Sequence, residues 1–199
     1  MRLFSKFFGG PKESDGPISV TATLNCRLMP LDRGEFFEDP LNAFLESQGL
    51  GSATGGGTMQ NSDGSIAYCD VEISLAELSD ATLSAVVGEL ERLGAPMGSK
   101  IVASDGETLR EFGEYETLSL SLDGIGLSPE IYEAFDTDEF VERIDNILNG
   151  LGSFQGSQGL AERTEFYFSG KSYLEMENRI EATIGQFPIC NGAIVTQVK

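Results

Sequence analysis

The chain has 199 residues, 40% of them hydrophobic, enough to bury a core in one large domain or two small ones. With 13 Lys plus Arg against 32 Asp plus Glu, its formal charge is -19; that field repels phosphate backbones and anionic bilayers, argues against nucleic-acid partners, and attracts a basic protein. The absence of His removes the commonest general base and metal ligand.

Residues 1–17 read as an N-terminal segment and linker. Residues 1–8 place Arg2 and Lys6 among Leu3, Phe4, Phe7 and Phe8. That apolar run is too short for a secretory signal. It reads as a short amphipathic segment that docks on the body or on a lipid surface, or that frays; docking on the body or fraying is the simpler reading. Residues 9–17 are a Gly- and Pro-containing linker. Residues 18–28 alternate, with Val20, Ala22 and Leu24 on one face and Thr21 and Thr23 on the other, which predicts a strand. Over 35–48 the spacing of Phe37, Leu41, Phe44 and Leu45 predicts a helix, with Asp39 as N-cap, Pro40 at the first helical position and Gly49 as the stop. Residues 52–60 read as a Gly-rich strand, 61–64 as a hairpin turn, and 65–75 as the returning strand. The alternation breaks near Cys69 and Asp70, where a bulge is expected. Ser79 or Asp80 starts a second helix with Leu83, Val86, Val87 and Leu90 inward, and 99–103 is a closing strand.

The second half repeats this order: a strand at 115–122, a helix over 129–149 with a break near Asp136, a Gly-rich strand at 154–160, a strand at 163–169, a helix over 171–186 bearing Leu174, Met176, Ile180 and Ile184, and a strand at 193–198. The copies agree in detail. Phe37, Leu41, Phe44 and Leu45 answer to Phe140, Ile144, Ile147 and Leu148. Both helices run into the same word, Gly-Leu-Gly-Ser, at residues 49–52 and 150–153. The order β-α-β-β-α-β resembles the ferredoxin-like split pattern, an antiparallel sheet with helices on one face. The chain is therefore expected to be α+β, a tandem duplication of a βαββαβ unit at 18–104 and 115–198, the copies packed together either as one continuous sheet or as two.

Three features stand as candidate sites. Gly55, Gly56 and Gly57 permit close backbone approach, as phosphate loops need. They follow a helix rather than lead into one, and no Lys is near, so a bulged or close-packed strand is the plainer reading, with a neutral or cationic ligand as the alternative. The acidic groups Glu35, Glu38 and Asp39 in the first unit, and Asp136, Asp138, Glu139, Glu142 and Asp145 in the second, flank equivalent helices. They read either as solvated helix starts or as a docking surface for a basic partner. Tyr167 alternates with Phe166 and Phe168, so it faces away from them, either outward as a contact residue or buried between units. Cys26, Cys69 and Cys190 stand far apart outside any CxxC, which suits a reducing, cytoplasmic compartment and argues against a disulfide framework or zinc site. Cys69 reads as a buried structural residue.

No stretch approaches the ~20 apolar residues of a membrane span, so stable insertion is not expected. No cofactor or metal is expected, and no catalytic constellation stands out. The leading expectation is a non-catalytic acidic binding protein, with an immunity or inhibitor protein that neutralises a basic partner as its concrete form. The alternative is a small-molecule sensor with its site between the repeats. A homodimer is compatible with both.

Overall fold

The computed structural model describes residues 16–199; residues 1–15, with the amphipathic segment, lie outside the described residues. The first strand, β1 (Ile18–Leu24), buries Val20, Ala22 and Leu24 on the face that the alternation assigns to the core. The following helical run begins earlier than the sequence pattern implies. It starts at Pro30 with α1 (Pro30–Arg33), passes through a π-helical turn (Gly34–Glu38) and continues as α2 (Asp39–Gln48). Pro30, at the first helical position, is the start signal, because a proline there gives up no intrahelical hydrogen bond. Asp39 is therefore not an N-cap; it lies inside the run with helical dihedrals. Gly49 ends the run in the left-handed conformation, at φ 65°.

Strand β2 (Gly51–Gln60) and β3 (Ile66–Leu75) form the expected hairpin, followed by α3 (Asp80–Arg92), whose N-cap Ser79 accepts from the Thr82 N–H. The bulges fall elsewhere than at Cys69 and Asp70. Thr54 is the extra residue on β2 and Ala67 on β3, so Cys69 stays in regular register opposite Leu24. Strand β4 (Ser99–Ala103) is not the last of its sheet: an Asp105-Gly106 turn leads into β5 (Thr108–Phe112) at the edge. The sheet order is β2-β3-β1-β4-β5, all antiparallel.

The second unit has β6 (Glu116–Asp123), α4 (Pro129–Glu133), α5 (Thr137–Leu148), β7 (Gly152–Gly159), β8 (Arg163–Gly170), α6 (Tyr173–Ile184), a 3-10 turn (Pro188–Cys190) and β9 (Ile194–Val198). Its sheet order, β7-β8-β6-β9, reproduces the first unit without the added edge strand. The expected break at Asp136 is real: Asp136 caps α5 by accepting from the Glu139 N–H at 2.9 Å. Leu174 is a correction. It faces solvent, because the buried stripe of α6 runs through Met176 and Ile180. Each unit has its own helix-covered core, one around Phe37, Leu41 and Leu90, the other around Phe140, Ile144, Phe166 and Phe168.

The units do not share a sheet. Their direct backbone link is a bridge between Pro96 and Tyr115, beside the Met97 N–H bonded to the Tyr115 carbonyl at 2.8 Å. The first unit covers the helix-free face of the second sheet. Thr117, Ser119, Ser121, Tyr167 and Ser169 are consequently buried, although they point away from their own helices. Gln158 ties the arrangement from β7: its carbonyl oxygen accepts from the Ile66 N–H at 3.1 Å, and its amide donates to the Gly64 carbonyl at 2.6 Å.

Candidate functional site

The best-formed cavity lies on the second unit, between α4, α5 and the 3-10 turn, with a volume of about 290 Å³. Its walls are apolar: Ile131, Ala134, Phe135, Phe140, Phe187 and Ile189. Local sequence explains why they meet. The break at Asp136 turns the chain so that α4 stands beside α5, and Pro188 turns Phe187 and Ile189 back toward both helices. The aromatic rings brace one another edge to face, Phe135 against Phe140 at 5.4 Å and Phe140 against Phe187 at 5.7 Å. Arg143 lies over the Phe187 ring at 4.7 Å.

The rim is acidic. Glu130, Asp136 and Glu139 surround the opening and face solvent. Glu139 pairs with Arg143 at 3.5 Å, and hydrogen bonding from Ser128 holds the Glu130 carboxyl below its usual range. Three carboxylates against one guanidinium leave the mouth net negative. The volume suits a large side chain better than a drug-sized molecule.

Asp136 and Glu139 are thus brought together, with Glu130 as a partner that the sequence reading missed. Asp138 and Glu142 lie on another side of α5, along an open groove with Phe154 and Ser157. In the first unit the acidic group is divided. Glu35 and Asp39 are exposed, but Glu38 is not a free surface charge: it accepts from the buried Arg33 guanidinium. Arg33 also donates to Thr58 Oγ1 at 2.7 Å, which clamps the π-helical turn onto β2.

That clamp explains the glycines. A Cβ on Gly56 would stand 2.9 Å from Arg33 Nε and 2.9 Å from Glu38 Oε1. Gly56 and Gly57 border an open groove with Met29, Pro30 and Gln60, whereas Gly55 sits beside the bulge at Thr54. The close-packed strand is the reading that the geometry supports. Tyr167 is likewise not an outward contact residue. It is 5% exposed under the first unit, and burial pushes its phenol up to about 12.

Cys26, Cys69 and Cys190 are free and buried. Cys69 has company that the sequence did not reveal. Its thiol donates to the Leu28 carbonyl at 3.2 Å, and hydrogen bonding with Cys26 draws Cys69 down to about 7 while Cys26 is pushed up. Among the described residues, no group of three or more Cys, Asp and Glu side chains is arranged to hold a metal ion. Also among them, no helix is long and apolar enough to cross a membrane. The cleft between the units, lined by Cys26, Arg27, Thr117 and Ser169, encloses about 10 Å³, and Ser169 Oγ in it has no hydrogen-bond partner among the described residues. That space suits one water molecule, so a larger ligand has to part the units.

No protein-family model and no curated protein matches the chain. Among solved structures, the first two RRM domains of the yeast poly(U)-binding protein Pub1 align over 90% of this chain and 99% of theirs, at 11% identity and a TM-score of 0.25. The regulatory subunit of aspartate kinase from Thermus flavus aligns over 85% of this chain and 94% of its own, at 11% identity and a TM-score of 0.28. Likenesses at this level carry no argument about activity or ligand. The class of the protein, two ferredoxin-like units in tandem, rests on the matching strand orders of its two sheets.

Proposed function

We propose that the chain is a non-catalytic binding protein for a basic protein partner, with an inhibitor or immunity role as the concrete form. The observation that carries this reading is an apolar cavity whose mouth is ringed by Glu130, Asp136 and Glu139. The pocket takes an apolar anchor of the partner, and the rim pairs with Lys or Arg beside it. The net charge of -19 steers the encounter. A cytoplasmic setting is part of the proposal and rests on three free thiols.

Fluorescent peptides test it: one carries Lys and Arg around a Phe, a second has the Phe replaced by Ser, and a third has the cations replaced by Glu. The first is expected to bind, and to weaken when salt rises past about 0.15 M, where the screening length is about 8 Å. Ala134→Arg, which adds bulk and positive charge at an exposed wall position, is expected to abolish binding. Equal retention of all three peptides, or binding untouched by Ala134→Arg, would overturn the reading.

A further inference from the structure

We infer that the cavity between α4, α5 and the 3-10 turn binds a small trimethylammonium compound of the choline type. It is the cavity proposed to anchor a basic partner, so this ligand and that partner exclude each other. Phe135, Phe140 and Phe187 meet there at steep angles, 63° and 89°, and so form a corner of aromatic rings rather than a stack. The face of an aromatic ring is electronegative and attracts a cation. One ring already does so: the Arg143 guanidinium lies over Phe187 at 4.7 Å. Ile131 and Ile189 extend the apolar walls, and Glu130, Asp136 and Glu139 stand at the mouth.

That combination selects among cations. A primary ammonium is strongly hydrated and needs acceptors for its N–H groups. Hydrocarbon walls supply none, so its entry is costly. A trimethylammonium group has no N–H to satisfy. Its charge is spread over methyl groups that pack against Ile131 and the rings, while the carboxylates at the mouth compensate it through space. A neutral group of the same shape gains the packing but nothing from the carboxylates. A phosphate on the ligand meets those carboxylates and is repelled. Arg143 is the residue that yields. Its side chain is 55% exposed and pairs with Glu139 at 3.5 Å, a surface contact of small worth, so it can swing off Phe187. At about 290 Å³ the cavity lies at the lower edge of ligand pockets, which suits a compound of this size.

NMR titration of the full-length protein with choline tests the site. Nuclear Overhauser contacts from the N-methyl protons to the ring protons of Phe135 and Phe187 are expected, with Kd on the order of 1 mM. Ethanolamine, and the neutral isostere with tert-butyl in place of trimethylammonium, are each expected to bind about tenfold more weakly. Phe135→Leu, which keeps apolar bulk but removes a ring, is expected to weaken choline about tenfold. Glu130→Gln, at an exposed position, is expected to weaken choline with the circular dichroism spectrum unchanged. The inference is overturned by the absence of methyl-to-ring contacts at about ten times the expected Kd. It is equally overturned by an isostere or ethanolamine that binds as tightly as choline, or by choline binding untouched by both variants. A trimethyl-lysine peptide that binds far more tightly than choline also overturns it, because the ligand is then a modified protein. Binding of the Phe-containing basic peptide without choline sinks the ligand alone, whereas choline binding without any peptide binding sinks only the partner reading.

Discussion

A Cβ at Gly56 would lie 2.2 Å from the Asp70 carbonyl oxygen, besides its approach to Arg33 and Glu38. Backbone cannot yield as a flexible side-chain tip can. Gly56→Ala is therefore expected to cost about 2–3 kcal/mol in urea denaturation, in the range of overpacked sites. Its neighbour is the control. Among the described residues, a Cβ on Gly57 meets nothing within 4 Å, so Gly57→Ala is expected to be neutral or slightly stabilising. Equal losses at both positions would refute the clamp as the reason for the glycine run. The same clamp predicts that Arg33→Met destabilises by about 2–3 kcal/mol, because Glu38 keeps a half-buried charge after losing its partner.

At the scale of elements, the duplication repeats a device as well as a fold. The Asn42 side-chain oxygen accepts from the Ala53 N–H at 2.9 Å, and Asp145 accepts from the Phe154 N–H at 2.9 Å. In both units the strand then bulges by one residue before Gly55 or Gly156. Each helix thus satisfies an amide of its edge strand, with an amide side chain in one unit and a carboxylate in the other. Burial pushes the Asp145 carboxyl up, and the Phe154 N–H offsets part of that rise. A carboxyl raised in the folded state binds its proton more tightly there than in the unfolded chain. Its effect is therefore to lower stability as pH rises from the unfolded carboxyl value through the folded one. Asp145→Asn, which copies the first unit, is expected to raise the melting temperature at pH 7. That gain should vanish as the pH falls below the carboxyl range. A gain that persists in acid would point to a cause other than the desolvated charge.

For the whole molecule, the junction of the units is tied by polar contacts from Gln158. Gln158 is buried and makes two of its hydrogen bonds across the junction. Gln158→Ala leaves the Ile66 N–H without that partner and is expected to cost about 1–3 kcal/mol. If the junction couples the units, the variant should also replace a single unfolding transition with two, seen by calorimetry. A single transition with unchanged midpoint would show that Gln158 does not couple them. The charge of -19 acts at the same scale, opposing compaction and favouring basic partners.

The order of strands and helices was legible because each element carries its own periodicity, period two in β1 and β6 and a helical stripe in α2 and α5. The break at Asp136 was legible for the same local reason, since a cap acts on the turn that follows it. The start at Pro30 and strand β5 carry only the local signals of Pro30 and Asp105-Gly106, because neither segment has a long apolar repeat. The meeting of Glu130 with Glu139 and Phe187 was not legible, nor was the burial of Tyr167. Chain-local patterns say which face of an element is apolar, not which distant element will cover it. By itself, then, the sequence determined two antiparallel α+β units and an acidic exterior, through side-chain period and charge. Only the tertiary structure decided that the sheets stay separate, that the glycines make room for an ion pair, and that the cavity opens among carboxylates, because those outcomes depend on packing between residues far apart in the chain.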